Sequence, residues 1–262
     1  MIYLTIAIII SLLVTLVLPI AAGIWVNKHL NISWRVITLG ALGYLISQVL
    51  LTFLYSGYTS LTGVDPQALA EGAAFTLQVI VSILIASLLG VILRWAGMRF
   101  IKMPLVNLEA AYGIGLGYGG IESILQVGFP LLMTFLTMLQ YTNPQASGLD
   151  PLVIDQLETL WQVSPWVPIA GSLERIEALV MHITVTILIL QAFTRKNPLW
   201  LGAAVGLEVL INGLIFRLAE LGIPYGWVVM IAAVLMAGNL YLLYRLKAFK
   251  VTLNKAESEI SN

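Results

Sequence analysis

Cysteine is absent from the 262 residues, so the chain can form neither a disulfide nor a thiolate metal site. Charge is almost as scarce. Only 10% of the residues are Asp, Glu, Lys or Arg, whereas a soluble domain carries about 25%. Hydrophobic residues make up 60%, and the mean hydropathy is +0.96. These values exclude an ordinary water-soluble fold and imply a membrane-embedded chain, with the lipid bilayer as its first partner. The formal net charge is zero, and no nucleic-acid partner is expected.

What is present is a series of apolar runs, at about Tyr3–Val26, Val36–Tyr55, Ala73–Leu93, Glu109–Gln140, Leu173–Phe193, Pro198–Leu218 and Gly226–Tyr244. A transmembrane helix needs roughly 20 apolar residues. The first run is longer than a signal-peptide core of about 7–15 residues and no small-residue cleavage site follows it, so it reads as a retained helix. The fourth is too long for one straight span and is expected to bend or end near Gly128, Phe129 and Pro130. The fold class that follows is all-α, a polytopic membrane helix bundle of about seven transmembrane helices. Residues 1–250 are expected to form one transmembrane domain, and 251–262 a polar cytoplasmic tail.

Orientation follows from the Lys/Arg bias of short loops. Lys28, Arg35, Arg94, Arg99, Lys102, Arg195, Lys196, Arg245, Lys247, Lys250 and Lys255 fall on one face, eleven of the thirteen basic residues. The opposite face carries Asp65, Glu71, Asp150, Asp155 and Glu158, with only Arg175 and Arg217 near it. The N-terminus is expected outside and the C-terminus in the cytoplasm, as in a multi-pass protein of a prokaryotic plasma membrane. The outer loop 141–172 contains DPLVIDQLETLWQV, with apolar Leu152, Leu157, Leu160 and Trp161. This pattern predicts an amphipathic helix on the outer interface anchored by Trp161 and Trp166, or a lid over a cavity.

Ionisable groups inside spans are costly and face the bundle interior, where they pair or line a pathway. Tyr118 and Glu122 share one face of the fourth span, being four residues apart. Gly113 with Gly117 and Gly115 with Gly119 form two interleaved small-xxx-small pairs, followed by Gly120, and such pairs let a neighbouring helix approach closely. Glu174, Arg175 and Glu177 read as the outer opening of the fifth span, where carboxylates suit a helix N-terminus, and His182 lies deeper on nearly the same stripe as Arg175. Glu208 and Asn212 are four apart on the sixth span, near mid-depth. Glu122, His182 and Glu208 thus come from three helices. If they meet, two carboxylates and an imidazole would hold a zinc ion with one position open for water, which gives hydrolytic chemistry. The alternative is that each is hydrogen-bonded within the bundle and holds no metal.

Four stretches in order carry a family resemblance. PIAAGIWVNKHLNISWRVITLGALGYLISQVL is similar to the first hairpin of the YhfC-type intramembrane metalloproteases, distant kin of the CAAX-prenyl protease/CPBP (Abi) group. GIGLGYGGIESIL resembles that family's G-I-G-H-G-G-I-E-A-I-L, ERIEALVMHI resembles E-R-x-x-A-x-x-x-H, and GLEVLINGL falls where the family carries H-x-x-x-D. The resemblance implies a polar intramembrane site built from Arg94, Glu122, Glu174, Arg175 and His182, with Glu122 and Glu174 as candidate catalytic carboxylates. It also exposes departures. Gly90 and Val91 stand where the family motif E-E-x-G-R has its glutamates, Tyr118 replaces a histidine, and Glu208 and Asn212 replace the His and Asp.

A phenol with a pKa of about 10 is a poor zinc ligand at neutral pH, and Gly or Val cannot serve as a general base. Three functions remain open. The chain is a pseudoprotease that binds a peptide, lipid or membrane-protein partner; or an active enzyme with a rearranged Glu122/His182/Glu208 centre; or a transporter- or channel-associated subunit. A retinal-based light receptor is excluded, because the seventh span has no lysine.

Overall fold

The computed structural model describes residues 2–63, 73–100, 107–143, 148 and 150–248. Asp65, Glu71, Lys102, Lys250, Lys255 and the tail 251–262 lie outside the described residues. The described chain is helical, with no strand. In order the helices are α1 (Ile2–Leu12), α2 (Leu18–Leu30), α3 (Trp34–Thr62), α4 (Ala73–Phe100), α5 (Leu108–Glu122), α6 (Phe129–Gln140), α7 (Pro151–Gln162), α8 (Trp166–Thr194), α9 (Leu199–Glu220) and α10 (Tyr225–Arg245). One π-helical turn, Leu13–Val17, joins α1 to α2, and another, Ser123–Gly128, joins α5 to α6. Each joined pair forms one continuous span, so seven helices are long and apolar enough to cross a membrane.

The expected bend in the fourth span is the second π turn, directly before Pro130. The first span hides an equivalent break. Pro19 has no N–H to bond the carbonyl four residues back, and the Ser123 hydroxyl donates to that Thr15 carbonyl at 3.1 Å. The second π turn thus packs on the first and satisfies the carbonyl that the first leaves free.

α8 is the most buried span, with Met181, Val185, Ile187 and Ile189 at the centre of the largest apolar cluster. It begins at Trp166, earlier than the sequence suggests, because Pro168 sits in its first turn, where proline is tolerated. Glu174, Arg175 and Glu177 therefore do not open the span but lie two to three turns inside it. Arg94 is a second correction. It is 1% exposed within α4, so it is not a surface charge and leaves the count of basic residues on the loop face. Position along the chain puts it beside a loop, but its partners on other helices draw it inward.

α7 forms where the outer-loop pattern predicts, capped by Asp150, whose carboxylate accepts from the Leu152 N–H at 2.8 Å. Its Leu157 is buried, and Leu160 and Trp161 pack on Leu4, Ile8, Phe135 and Met138 of α1 and α6. Leu152 and Trp166 stay exposed.

The glycines of α5 explain how the core closes. A Cβ on Gly117 would lie 1.9 Å from the Ile37 carbonyl oxygen, and one on Gly40 2.1 Å from that of Ile114. The backbones of α3 and α5 are thus in contact. Gly113 faces Ile32 and Val36 on the same side, whereas Gly115 and Gly119 face His182 and Ile183 of α8, and Gly120 faces Pro19. The two interleaved pairs serve two different neighbours, which makes α5 a wedge between α3 and α8. Gly117→Ala is expected to cost about 1–3 kcal/mol or more through overpacking and to lower the melting temperature in detergent. Gly57→Ala, with nothing within 4 Å of its Cβ, should not; equal effects would disprove the backbone contact.

Candidate functional site

At the depth where α4, α5, α8 and α9 meet, Arg94 is the central group. Its Nε donates to the Gly90 carbonyl at 3.0 Å, Nη1 to His182 Nδ1 at 3.2 Å and Nη2 to Glu208 Oε2 at 2.5 Å. The guanidinium carbon stands 4.3 Å from the centroid of the Tyr118 ring, a cation–π contact. A buried charge is tolerated only when paired and fully hydrogen-bonded, and all three kinds of nitrogen on Arg94 have partners.

His182 links this centre to a second one. A guanidinium can only donate, so Nδ1 accepts from Arg94 and the ring proton belongs on Nε2. Nε2 lies 2.9 Å from Glu122 Oε2, within ion-pair reach but off the line of a good hydrogen bond. Glu122 in turn accepts from Arg175 Nη1 at 3.3 Å, and Arg175 Nη2 donates to Glu174 at 2.6 Å. The result is one chain of charged and polar groups, Glu174–Arg175–Glu122–His182–Arg94–Glu208, running from the N-terminal half of α8 to the middle of α9. Glu174 also forms part of the wall of a cavity of about 430 Å³, with Ile215, Pro224, Tyr225 and Val228.

Tyr118 packs at the hub, edge-on to Tyr44 at 5.4 Å, tilted against the His182 ring at 5.1 Å, and 3.2 Å from the Ser47 hydroxyl. A Cβ on Gly90 would be 2.7 Å from the Tyr118 hydroxyl and 3.1 Å from Arg94 Nη2. The tyrosine thus fills the space that a side chain at position 90 would enter. Val91 points elsewhere, into the apolar core.

Of the residues singled out by sequence, Arg94, Tyr118, Glu122, Glu174, Arg175, His182 and Glu208 lie next to one another in this network. Asn212, one turn beyond Glu208, is half-buried and bonds to none of these groups among the described residues. Ser47 and Tyr44 carry no signal in the sequence, being unremarkable polar residues of an apolar span. Asn239 is a further participant that sequence reasoning missed. Its amide donates to Glu177 Oε1 at 3.1 Å, while Glu177 Oε2 and Asn239 Oδ1 have no hydrogen bond among the described residues. A signal for Asn239 was available, since it is an amide in the middle of the seventh span.

The profile of the YhfC intramembrane metalloproteases matches residues 14–235, from the first π turn into α10. The chain belongs to the YhfC intramembrane metalloprotease family. No curated protein matches it significantly. The metal that the family name implies does not fit the donors as they stand. Glu122 and Glu208 flank opposite nitrogens of His182, Nδ1 is engaged by a guanidinium, and Nε2 faces a carboxylate. No single point faces all three side chains, and among the described residues no group of three or more His, Cys, Asp or Glu is arranged to hold a metal ion.

Within this YhfC protein the charges stabilise one another, and removing one is worse than removing a pair. Arg94→Met or Glu208→Leu alone should destabilise by about 3–5 kcal/mol, because each leaves an uncompensated buried charge. The double substitution should be milder than either, read as melting temperature and yield in detergent. Additive losses would mean that the two groups do not depend on each other.

Proposed function

We propose that this YhfC-family protein is a non-proteolytic member of the family, a pseudoprotease that works by binding a polypeptide segment of a partner membrane protein. The Arg94 guanidinium, which the family motif shares, bonds to His182 and Glu208. The observation that carries the reading is that Gly90 and Val91 stand where the family motif has glutamates. Neither can take a proton from water, and the space beside Gly90 is filled by Tyr118.

In this reading the polar chain serves recognition. The cavity beside Glu174 opens next to the Glu174–Arg175 pair, so a bound segment would meet a carboxylate on one wall and apolar side chains on the others. Pockets of about 300–1,000 Å³ lined mostly by apolar groups with a few polar ones suit such ligands. Glu122 would be retained because it neutralises Arg175 and contacts His182. The basic loop ends would lie in the cytoplasm of a prokaryotic cell and the N-terminus outside, in its plasma membrane, with residues 1–250 acting as one domain.

A second reading is favoured by the Glu122–His182 contact at 2.9 Å, since a carboxylate beside an imidazole is suited to proton transfer. In that case the chain is an active hydrolase with Glu122 and Glu174 as its acidic groups. Metal content and activity of the purified protein separate the two. We expect no zinc above background in wild type or in His182→Ala, and no cleavage of membrane-peptide libraries by the wild type. About one zinc per chain that is lost in a folded His182→Ala protein would overturn the proposal in favour of the enzyme. Should His182→Ala fail to fold, Glu122→Gln, which keeps the shape and removes the charge, serves in its place.

A further inference from the structure

Between α4 and α9 lies an apolar groove of about 600 Å³. Leu88, Ile92 and Trp95 of α4 form one wall, and Val205 with Gly202 and Gly206 forms the other. Among the described residues no charged side chain lines it. Gly202 and Gly206 are one helical turn apart, and a Cβ at either would have nothing within 4 Å. They differ in this from Gly117 and Gly40, whose missing side chains are filled by a neighbouring backbone. In the groove, the absence of side chains is left as open depth.

The end of the groove where α4 stops and α9 starts is marked by two arginines. Arg99, one turn beyond Trp95, holds its guanidinium 5.5 Å from the centroid of that ring. Arg195 holds its own 4.8 Å from the centroid of Trp200, the residue next to the groove-lining Leu201. Arg195 also donates to the Gln191 side-chain oxygen at 2.9 Å. Among the described residues neither arginine is paired with a carboxylate. Trp95 is further fixed by stacking on Phe193 at 6.2 Å.

A slot without polar walls, ending at two cations on tryptophans that no described carboxylate pairs, matches the layout of a phospholipid. Tryptophan and arginine belong at headgroup level, and basic pockets between transmembrane helices bind anionic headgroups. We propose that the α4–α9 groove is a binding site for an anionic phospholipid, with one acyl chain against Gly202 and Gly206 and the phosphate between Arg99 and Arg195. A transmembrane helix of a partner would also pack on two glycines a turn apart. It gives the two guanidiniums no counter-charge, which is why the lipid is the occupant favoured here. The site lies on α4 and α9, away from the cavity beside Glu174, and stands independently of the function proposed above.

The test is titration of the full-length protein in mild detergent with phosphatidylglycerol or phosphatidylcholine of identical chains, read by native mass spectrometry. Wild type should bind one phosphatidylglycerol in preference to phosphatidylcholine. Arg99→Gln and Arg195→Gln should each reduce that preference by roughly five-fold. Gly206→Leu should abolish tight binding of both lipids without lowering the melting temperature, and Gly202→Val replaces it if that variant fails to fold. Equal binding by wild type and the groove-filling variant, or no preference for the anionic lipid, overturns the site. So does a membrane protein that co-purifies stoichiometrically with wild type in place of lipid and is lost on Gly206→Leu.

Discussion

The Arg94–Glu208 ion pair is the contact on which the interior depends. A charge taken from water into a low-dielectric interior carries a penalty of several kcal/mol, recovered only through close partners of good geometry. Arg94 has such partners on four helices: the Gly90 carbonyl of its own α4, the Tyr118 face on α5, His182 on α8 and Glu208 on α9. Moving any of these helices by an ångström or two would strand a buried charge. The pair therefore sets the relative positions of four spans more tightly than apolar packing does, since lipid tails compete on equal terms with apolar side chains in a membrane.

That constraint can be met only because α5 is thin. With glycine at 113, 115, 117, 119 and 120, this helix brings α3 into backbone contact on one side and His182 of α8 close on another. The small residues reduce side-chain volume where the polar groups need proximity. The geometry of the charged chain is thus a consequence of the glycine pattern, and neither feature accounts for the structure alone. At its C-terminal end the same helix meets the π turn at Ser123, which directs its hydroxyl to the carbonyl left without a partner by Pro19. Backbone polar groups freed by a break in one span are satisfied by the break in the next.

Much of this was legible in the sequence. Apolar run length located the seven spans, and the cost of burying charge picked out the residues that cluster in the site. Depth counted at about 1.5 Å per residue put Glu122 and Glu208 on levels from which both reach His182. Boundaries and pairings were less accessible. A hydropathy profile ends a span at the first charge, so Arg94 read as a loop residue and Glu174 as a helix start, although both lie inside helices. Partner choice between helices leaves no local pattern, so nothing in the spacing could say that Arg94 bonds to both His182 and Glu208. Ser47 was missed for a similar reason, since a lone small hydroxyl in a span shows its importance only when its neighbour is known, whereas Asn239, an amide within an apolar span, did carry a signal.

The departures from the family motif are also connected to one another in space. Tyr118 and Gly90 are on different helices, yet the hydroxyl of one occupies the volume that a side chain at the other would need. A glutamate at position 90 is compatible with this interior only if the residue at 118 is shorter than tyrosine or turned away from Arg94. The two positions form one packing unit, a side chain at 90 with a smaller residue at 118, or no side chain at 90 with a phenol in its place. The second arrangement keeps Arg94 covered by an aromatic face and bonded to His182 and Glu208, and it leaves no carboxylate at position 90 or 91 to activate water. Tyr118 and Gly90 thus act together on Arg94, the phenol covering its guanidinium in the space that a side chain at position 90 would enter.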